Sequence, residues 1–409
     1  MELSREQKIE ELLTRGVAEA IDREHLKKRL LAGEKLRVKL GIDPTSPNLH
    51  LGRSVPLLKL RDFQNLGCQV VFIVGDFTGI IGDTSDKEAE RPMLSKEVIA
   101  ENLKSYVDQA AKILDIEKVE VRHNSEWLGQ LTYQEIGEQA DAFSLAEFIA
   151  RENVKKRLEA GKRVSLRELL YPLMQGYDSV AVKADVELGG TDQRFNLLAG
   201  RTMQPRYGQA PQDILMTNLI LGTDGRKMSS SWGNTINLID TPNDMFGKCM
   251  SIPDELIMEY FTHCTRVPME EIAKFAEDIV MGGNPRDAKL CLAKEIVTLY
   301  HGAEAGVAAE QYFIETFSKK EVDIDTVPTT LPSIVDSSAD EPKKYETLVE
   351  MMVRMKFASS KSDAWRKIEQ GGVSIDGVKI APEDVGITRG RYENKIVKVG
   401  KKDFFRIVF

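Results

Sequence analysis

Apolar positions in the first half of the chain fall into two patterns: short unbroken runs, and longer stretches with apolar residues three or four apart. Cys68 to Phe77 is an unbroken run, as expected of a strand covered on both faces. Arg37 to Gly41 reads as a second short buried strand, and Val119 to Val121 as a third, ending at His123 and Asn124. Arg53 to Leu66 reads as a helix. Ser95 reads as the N-cap of a long helix with Ile99, Leu103, Val107, Ala110 and Leu114 on one stripe. The first 36 residues are helical in pattern, with a charged face from Glu24 to Arg29. Strands that alternate with helices imply a parallel sheet, and such sheets bind ligands at the carboxyl ends of their strands.

Leu131 to Arg167 is helical and interrupts this alternation, as an insertion between two halves of a nucleotide-binding fold does. Alternation resumes with Leu170 to Val182, the strand Asp185 to Leu188, the turn Gly189 to Gln193 and the strand Ile214 to Met216. Asp240 to about Lys319 reads as helical, with Pro285 opening a helix through Tyr300. Pro328, Pro332 and Pro342 mark Glu321 to Pro342 as a linker. Beyond it lie two short helices, Leu348 to Met355 and Ser360 to Gln370. A hairpin follows, with Val373–Ile375 and Val378–Ile380 flanking Asp376-Gly377, then strands Ile396–Val399 and Phe404–Phe409 around Gly400-Lys401-Lys402.

The chain of 409 residues has room for two or three domains, and 42% hydrophobic with 29% charged residues is an ordinary globular balance. No apolar run approaches the length of a membrane span, and the charged start Met1 to Glu6 lacks a signal-peptide apolar region. Cys68, Cys249, Cys264 and Cys291 form no Cys-x-x-Cys pair, so a reducing cytoplasm is expected. The net charge of −8 is uneven: Tyr345 to Phe409 carries 13 Lys+Arg against 9 Asp+Glu, leaving −12 on the rest. A basic tail on an acidic body suggests that the tail meets a polyanion.

Two segments offer chemistry. Gly41-Ile42-Asp43-Pro44-Thr45-Ser46-Pro47-Asn48-Leu49-His50-Leu51-Gly52-Arg53 is a strand-to-helix turn. The unpaired N–H groups at a helix start suit a phosphate, and Gly52 lets a ligand lie against the backbone. On these residues alone, a phosphate turn and an ordinary strand–turn–helix fit equally. The second segment, Asp224-Gly225-Arg226-Lys227-Met228-Ser229-Ser230-Ser231, combines glycine, cations and hydroxyls, as a loop folding over a phosphate chain needs, although on these residues alone a polar surface loop is the better fit. The chain lacks Gly-x-x-x-x-Gly-Lys-[Ser/Thr] and Gly-x-Gly-x-x-Gly, which disfavours a P-loop NTPase and a dinucleotide oxidoreductase.

His50-Leu51-Gly52-Arg53 resembles the first signature of class I aminoacyl-tRNA synthetases, usually His-Ile-Gly-His, and Lys227-Met228-Ser229-Ser230-Ser231 their second, usually Lys-Met-Ser-Lys-Ser. Gly75 to Asp83, Leu170 to Asp178, Val186 to Leu197 and Asn284 to His301 narrow the resemblance to tyrosyl-tRNA synthetases of bacterial type. The tail, with Ala358 to Ser362 and Gln370 to Val373, is similar to an S4-type RNA-binding domain. The resemblance implies an α/β fold in three parts. These are a Rossmann-like parallel-sheet catalytic domain (1–235, insertion near 131–167), an all-helical domain (236–325), and, after a linker (326–344), a small α+β S4-like domain (345–409).

It also implies roles. Thr45, His50, Arg53, Lys87, Arg91 and Lys227 face the reacting phosphates. Thr78, Asp83, Asn124, Tyr171, Gln175, Asp178 and Gln193 surround the tyrosine, with Asp178 accepting its phenol. Gly41, Asp43, His50, Gly52, Gly190, Asp192, Lys227, Met228, Ser229 and Ser231 hold ATP. Helical spacing places Tyr171, Gln175 and Asp178 on one face. ATP is expected as substrate with Mg²⁺ beside it and no protein-held metal. The expected partners are tyrosine, tRNA(Tyr) and a second copy of the chain, with no membrane. Three residues depart from the pattern: Arg53 for a second His, Ser230 for a second Lys, and Lys39 where another bacterial subgroup has a Tyr touching the phenol. Two alternatives stand beside this reading, a tryptophanyl-tRNA synthetase and a non-catalytic RNA-binding protein built from a disabled synthetase.

Overall fold

The structure, a computed structural model, describes residues 3–84, 93–318, 329–336, 344–376, 378–400 and 403–409. Lys87, Arg91, Lys319, Pro328, Pro342, Gly377, Lys401 and Lys402, named above, lie outside them. The chain divides into two compact units, Met1–Phe313 and Ile314–Phe409.

The first unit is built on a six-stranded sheet: β1 (Val17–Ile21), β2 (Arg37–Ile42), β3 (Gln69–Val74), β4 (Val119–His123), β5 (Val186–Gly190) and β6 (Asp213–Thr217). Their order across the sheet is β1-β6-β5-β2-β3-β4. Strands β2 to β6 run parallel, and β1 lies antiparallel on the β6 edge. The chain leaves β2 towards β3 and β4 on one side, while β5 and β6 lie on the other. The crevice of such a sheet opens where the strand order turns, at the carboxyl ends of β2 and β5.

Strand β1 corrects the expectation of a wholly helical start. Its sequence, Val-Ala-Glu-Ala-Ile, is dominated by strong helix formers, and only its pairing with β6 makes it a strand. Strand β3 ends at Val74, short of the expected Phe77. At Gly75 a Cβ would sit 2.1 Å from Asp43 Oδ1, so the chain turns there beneath the site.

Ser95 caps its helix by accepting from Val98 N, but the expected long helix breaks into Lys96–Leu103 and Tyr106–Ala111. Polar residues around the break have other work. Asn102 donates to Pro44 O at 2.8 Å. Gln109 accepts from Leu49 N at 2.7 Å and donates to Pro47 O at 2.9 Å. The broken helix thus holds the turn that follows β2.

The insertion forms helices Tyr133–Ala140, Leu145–Ile149 and Glu152–Glu159. Arg157 pairs with Glu168 through two hydrogen bonds, at 2.5 and 3.0 Å, and fixes the insertion to the long helix Leu166–Val182. Helices Pro242–Met250, Ile257–Cys264, Met269–Val280, Pro285–His301 and Ala303–Phe313 follow. One continuous core, from Ile9 to Ala309, joins these helices to the sheet. Among the described residues no helix is long and apolar enough to cross a membrane.

In the second unit the short strands are β7 (Thr329–Thr330), β8 (Ile334–Asp336), β9 (Lys344–Tyr345), β10 (Val373–Ile375), β11 (Val378–Lys379), β12 (Ile396–Val399) and β13 (Asp403–Ile407). Helices Leu348–Arg354 and Lys361–Glu369 pack on a separate core that includes Leu348, Ile368, Val397 and Phe405. The sheet order is β11-β10-β12-β13-β7. Strand β7 comes from the stretch read as linker: Thr329 and Thr330 pair with Arg406 and Ile407. Three prolines hid a two-residue strand there.

Candidate active site

A cavity of about 790 Å³ lies over the carboxyl ends of β2, β5 and β6. Leu40 to Asp43, Leu188 to Gly190 and Thr217 form its floor, and residues 227–231 form part of its rim.

His50 is the N-cap of the helix Leu51–Asn65. Its backbone bridges to Asn237, and Leu51 N donates to Ile236 O, so the start of this helix is tied to the segment after the second loop. The His50 side chain is buried, and Nδ1 has no hydrogen-bond partner. Burial, with Arg53 and Lys227 close by, pushes its pKa down to about 3, so the ring is neutral. At Gly52 a Cβ would sit 3.1 Å from both Cε1 and Nδ1 of His50, so any side chain there would displace the ring. Gly52 N donates to Met228 Sδ at 3.3 Å, joining the two segments. Arg53 donates to Asp43 O and Thr45 Oγ1, both at 3.3 Å. Lys227 Nζ lies 3.0 Å from Asp192 Oδ2, and Ser230 Oγ lies 3.4 Å from Ser46 Oγ.

The helix Leu166–Val182 forms the opposite end. Tyr171 OH donates to Asp43 Oδ2 at 2.9 Å, and Thr78 Oγ1 donates to Asp43 Oδ1 at 2.7 Å. Burial raises the Asp43 carboxyl to about 6 against the pull of these two donors. Gln193 Nε2 donates to Asp83 Oδ2 at 2.7 Å, and Gln175 Nε2 to Glu187 Oε1 at 3.1 Å. Asp178 is 3% exposed, which removes it from bulk water. It accepts from Trp127 Nε1 at 2.8 Å and Asn124 Nδ2 at 3.3 Å, and burial raises its pKa to about 7.

The structure thus brings Thr45, His50, Arg53, Lys227, Asp83, Tyr171, Gln175, Gln193, Gly41, Asp43, Gly52, Gly190, Asp192, Met228, Ser229 and Ser231 onto one cavity. Thr78, Asn124 and Asp178 stand behind its wall: Asn124 donates to Thr78 Oγ1 at 2.8 Å, and Thr78 to Asp43. Asp43, expected beside the adenosine, is bonded to two residues expected around the amino acid.

The model of tRNA synthetases class I (W and Y) matches residues 31–318, and that of the tyrosine–tRNA ligase SYY-like C-terminal domain matches 324–407. The tyrosine–tRNA ligase of Thermotoga maritima is 45% identical over 398 residues, covering 97% of this chain and 96% of the relative. That of Carboxydothermus hydrogenoformans is 46% identical over 407 residues, covering 98% and 97%. The chain belongs to the tyrosyl-tRNA synthetases. A C-terminally truncated mitochondrial tyrosyl-tRNA synthetase of Aspergillus nidulans shares the fold, with a TM-score of 0.64 at 24% identity, over 76% of this chain and 94% of that one. The tyrosyl-tRNA synthetase of Archaeoglobus fulgidus, solved with L-tyrosine, gives 0.59 at 24%, over 75% and 100%. The match of the C-terminal model from residue 324 agrees with β7 in extending that unit ahead of Tyr345.

Within this tyrosyl-tRNA synthetase, sequence reasoning overlooked the groups that hold Asp178 and Gln175. Trp127 lies one turn beyond Asn124, and nothing in its sequence neighbourhood separates an indole donor from a core side chain. Lys39 and Glu187 are paired residues on adjacent strands, with Nζ 2.9 Å from Oε1 and both side chains all but fully buried. A lysine and a glutamate inside apolar runs were the available signal, because neither charge is buried without a partner.

Proposed function

We propose that this cavity performs the first half-reaction of tyrosine–tRNA ligation, attack of the tyrosine carboxylate on the α-phosphorus of ATP. Tyrosyl-adenylate and pyrophosphate are the products, and transfer of tyrosine to the 3′ end of tRNA(Tyr) follows. As a tyrosyl-tRNA synthetase, the chain is a tyrosine–tRNA ligase. The observation that carries the reading is the meeting of His50 and Lys227, from segments far apart in sequence, on one cavity with Tyr171 and Gln175.

The reaction needs no protein nucleophile. The carboxylate oxygen forms the new bond to phosphorus, and the bond to pyrophosphate breaks with its electron pair leaving on oxygen. The protein positions the two substrates and meets the growing negative charge. Thr45, His50, Arg53 and Lys227 serve the departing phosphates, and Lys87 and Arg91 join them. Gly41, Asp43, Gly52, Gly190, Asp192, Met228, Ser229 and Ser231 form the nucleotide's bed. Mg²⁺ arrives on the ATP phosphates. Tyr171, Gln175, Asp83 and Gln193 hold the ammonium and carboxylate of tyrosine, backed by Thr78 and Asn124. Asp178, which stands behind the cavity wall and already accepts from Trp127 and Asn124, is the acceptor we assign to the phenol hydrogen, and this favours tyrosine over tryptophan.

We propose a catalytic part up to residue 235 and a helical part up to 325 that share one core, and a tRNA-binding tail whose main body runs from 345 and which β7 joins from the linker stretch. The exposed Tyr133, Leu145 and Leu166 of the insertion region support a homodimer. The four free cysteines support a cytoplasmic location.

The test is ATP–pyrophosphate exchange screened over all amino acids. Tyrosine drives it, and Lys227→Ala lowers it by about 10²–10³. Exchange driven better by tryptophan, or unchanged in Lys227→Ala, would overturn the reading.

A further inference from the structure

We infer that Arg53 supplies, in this chain, the positive charge that the second signature usually carries at position 230: the two departures from the family pattern are one relocation of charge across the phosphate end of the cavity. This deepens the reading above and rests on it.

Among the cavity's described lining residues the carboxylates are Asp43, Asp83 and Asp192, and the cationic side chains are Arg53 and Lys227. Lys227 is held at 3.0 Å by Asp192. Arg53 differs, because both of its hydrogen bonds go to neutral oxygens, Asp43 O and Thr45 Oγ1. Its fork therefore has charge to give to an incoming polyphosphate, and a guanidinium binds two phosphate oxygens at once.

Position 230 faces the same place from the other side. Ser230 Oγ lies 3.4 Å from Ser46 Oγ, and Ser46 follows Thr45, the residue that Arg53 touches. A lysine at 230 would project past Ser46 towards the ground that the Arg53 fork commands. Two full cations there would repel each other as well as bind phosphate. One suffices, and this chain carries it on the first signature. Arg53 is then a catalytic residue: it meets the pyrophosphate oxygens as the bond to the α-phosphorus breaks and the electron pair passes to the leaving group. No proton moves in the step.

The test is a double-mutant cycle on the full-length chain, reading the rate constant of tyrosyl-adenylate formation and, separately, tyrosine binding by equilibrium dialysis. Arg53→His lowers the rate constant by about 10²-fold with tyrosine affinity unchanged, which also shows that the variant is folded. In the Ser230→Lys background the same substitution costs less than about fivefold, because the charge has returned by the other route. Arg53→Lys, which keeps the charge but not the fork, loses less than about tenfold. An equal loss from Arg53→His in both backgrounds overturns the relocation. So does a loss from Arg53→Lys as large as that from Arg53→His. A natural chain with no tyrosine-dependent exchange sinks the underlying reading instead, and that result is distinct from either.

Discussion

The two ends of the cavity are built on opposite plans. At the end bounded by the helix Leu166–Val182, protein groups satisfy one another. Glu187 receives Gln175, Ser179, Lys39 and Gln212, and Asp178 receives Trp127 and Asn124. At the end bounded by the two signatures, His50 Nδ1 has no partner and Arg53 bonds only neutral oxygens. The first end directs its interactions at its own shape. The second keeps charge and hydrogen-bonding capacity in reserve. A side chain recognised by shape calls for the first plan, and a charge that grows during reaction calls for the second, since only interactions made in the transition state speed the step.

If that contrast is right, stability and activity separate by position. Lys39→Met strands the Glu187 carboxylate in the core and costs about 3–5 kcal/mol of stability. Replacing Glu187 by Met in the same protein returns much of it. Arg53→Met, at the other end, costs about 1 kcal/mol or less, since its two bonds are long and go to neutral oxygens. Urea denaturation of the variants decides the matter. Similar losses at Lys39 and Arg53 would erase the distinction between the ends.

The same contrast explains what was legible in the sequence. The end bounded by the two signatures was readable because its elements are local: a strand, a turn, a helix start at His50, and a loop of glycine, cations and hydroxyls. Apolar runs and the Ser95 and Pro285 helix signals placed most elements for the same reason. What stayed hidden was pairing over distance. Val17–Ile21 is a strand only because β6 lies beside it. The helix after Ser95 breaks where Asn102 and Gln109 turn to the loop Pro44–Leu49. Asp178 shows its helical face in sequence, but Trp127 reaches its surroundings from the short helix Ser125–Leu128, and Lys39 and Glu187 from two strands. No local pattern encodes a network whose members lie 51 and 12 residues from their partners, as Trp127 and Glu187 do.

A smaller effect is expected at Asp178, and it has a pH signature. With Asp178 as the proposed acceptor of the phenol, Asp178→Asn offers a weaker one, so the preference for tyrosine over phenylalanine falls about tenfold to hundredfold in exchange kinetics. Folded-state pKa values near 7 for Asp178 and 6 for Asp43 exceed the ordinary 3.8. What these carboxyls contribute to stability is fully present below that ordinary value. It is lost as pH rises through 6 to 7, because the folded state must then bury charge. Asparagine at 178 does not titrate. The melting temperature of Asp178→Asn therefore gains on that of the natural chain between pH 5 and pH 8, whatever constant offset the new amide brings. A difference independent of pH would place the Asp178 carboxylate in a better-solvated setting than its burial implies.

The least disruptive test probes how much freedom the phosphate end has. A Cβ at Gly52 would meet the His50 ring at 3.1 Å, a crowding that a shift of a few tenths of an ångström relieves, whereas at Gly75 it would meet Asp43 Oδ1 at 2.1 Å. Gly75→Ala must pull apart the Asp43–Thr78 bond and so reach the self-satisfied end. Gly52→Ala only turns a neutral imidazole whose Nδ1 is unbonded. Since a full ångström of misplacement costs about 10²-fold, Gly52→Ala slows adenylate formation by about fivefold, with tyrosine affinity and melting temperature unmoved. If instead Gly52→Ala weakened tyrosine binding as Gly75→Ala does, the two ends would be mechanically one, and a reserve of unspent charge could not be kept apart from the pocket that reads the amino acid.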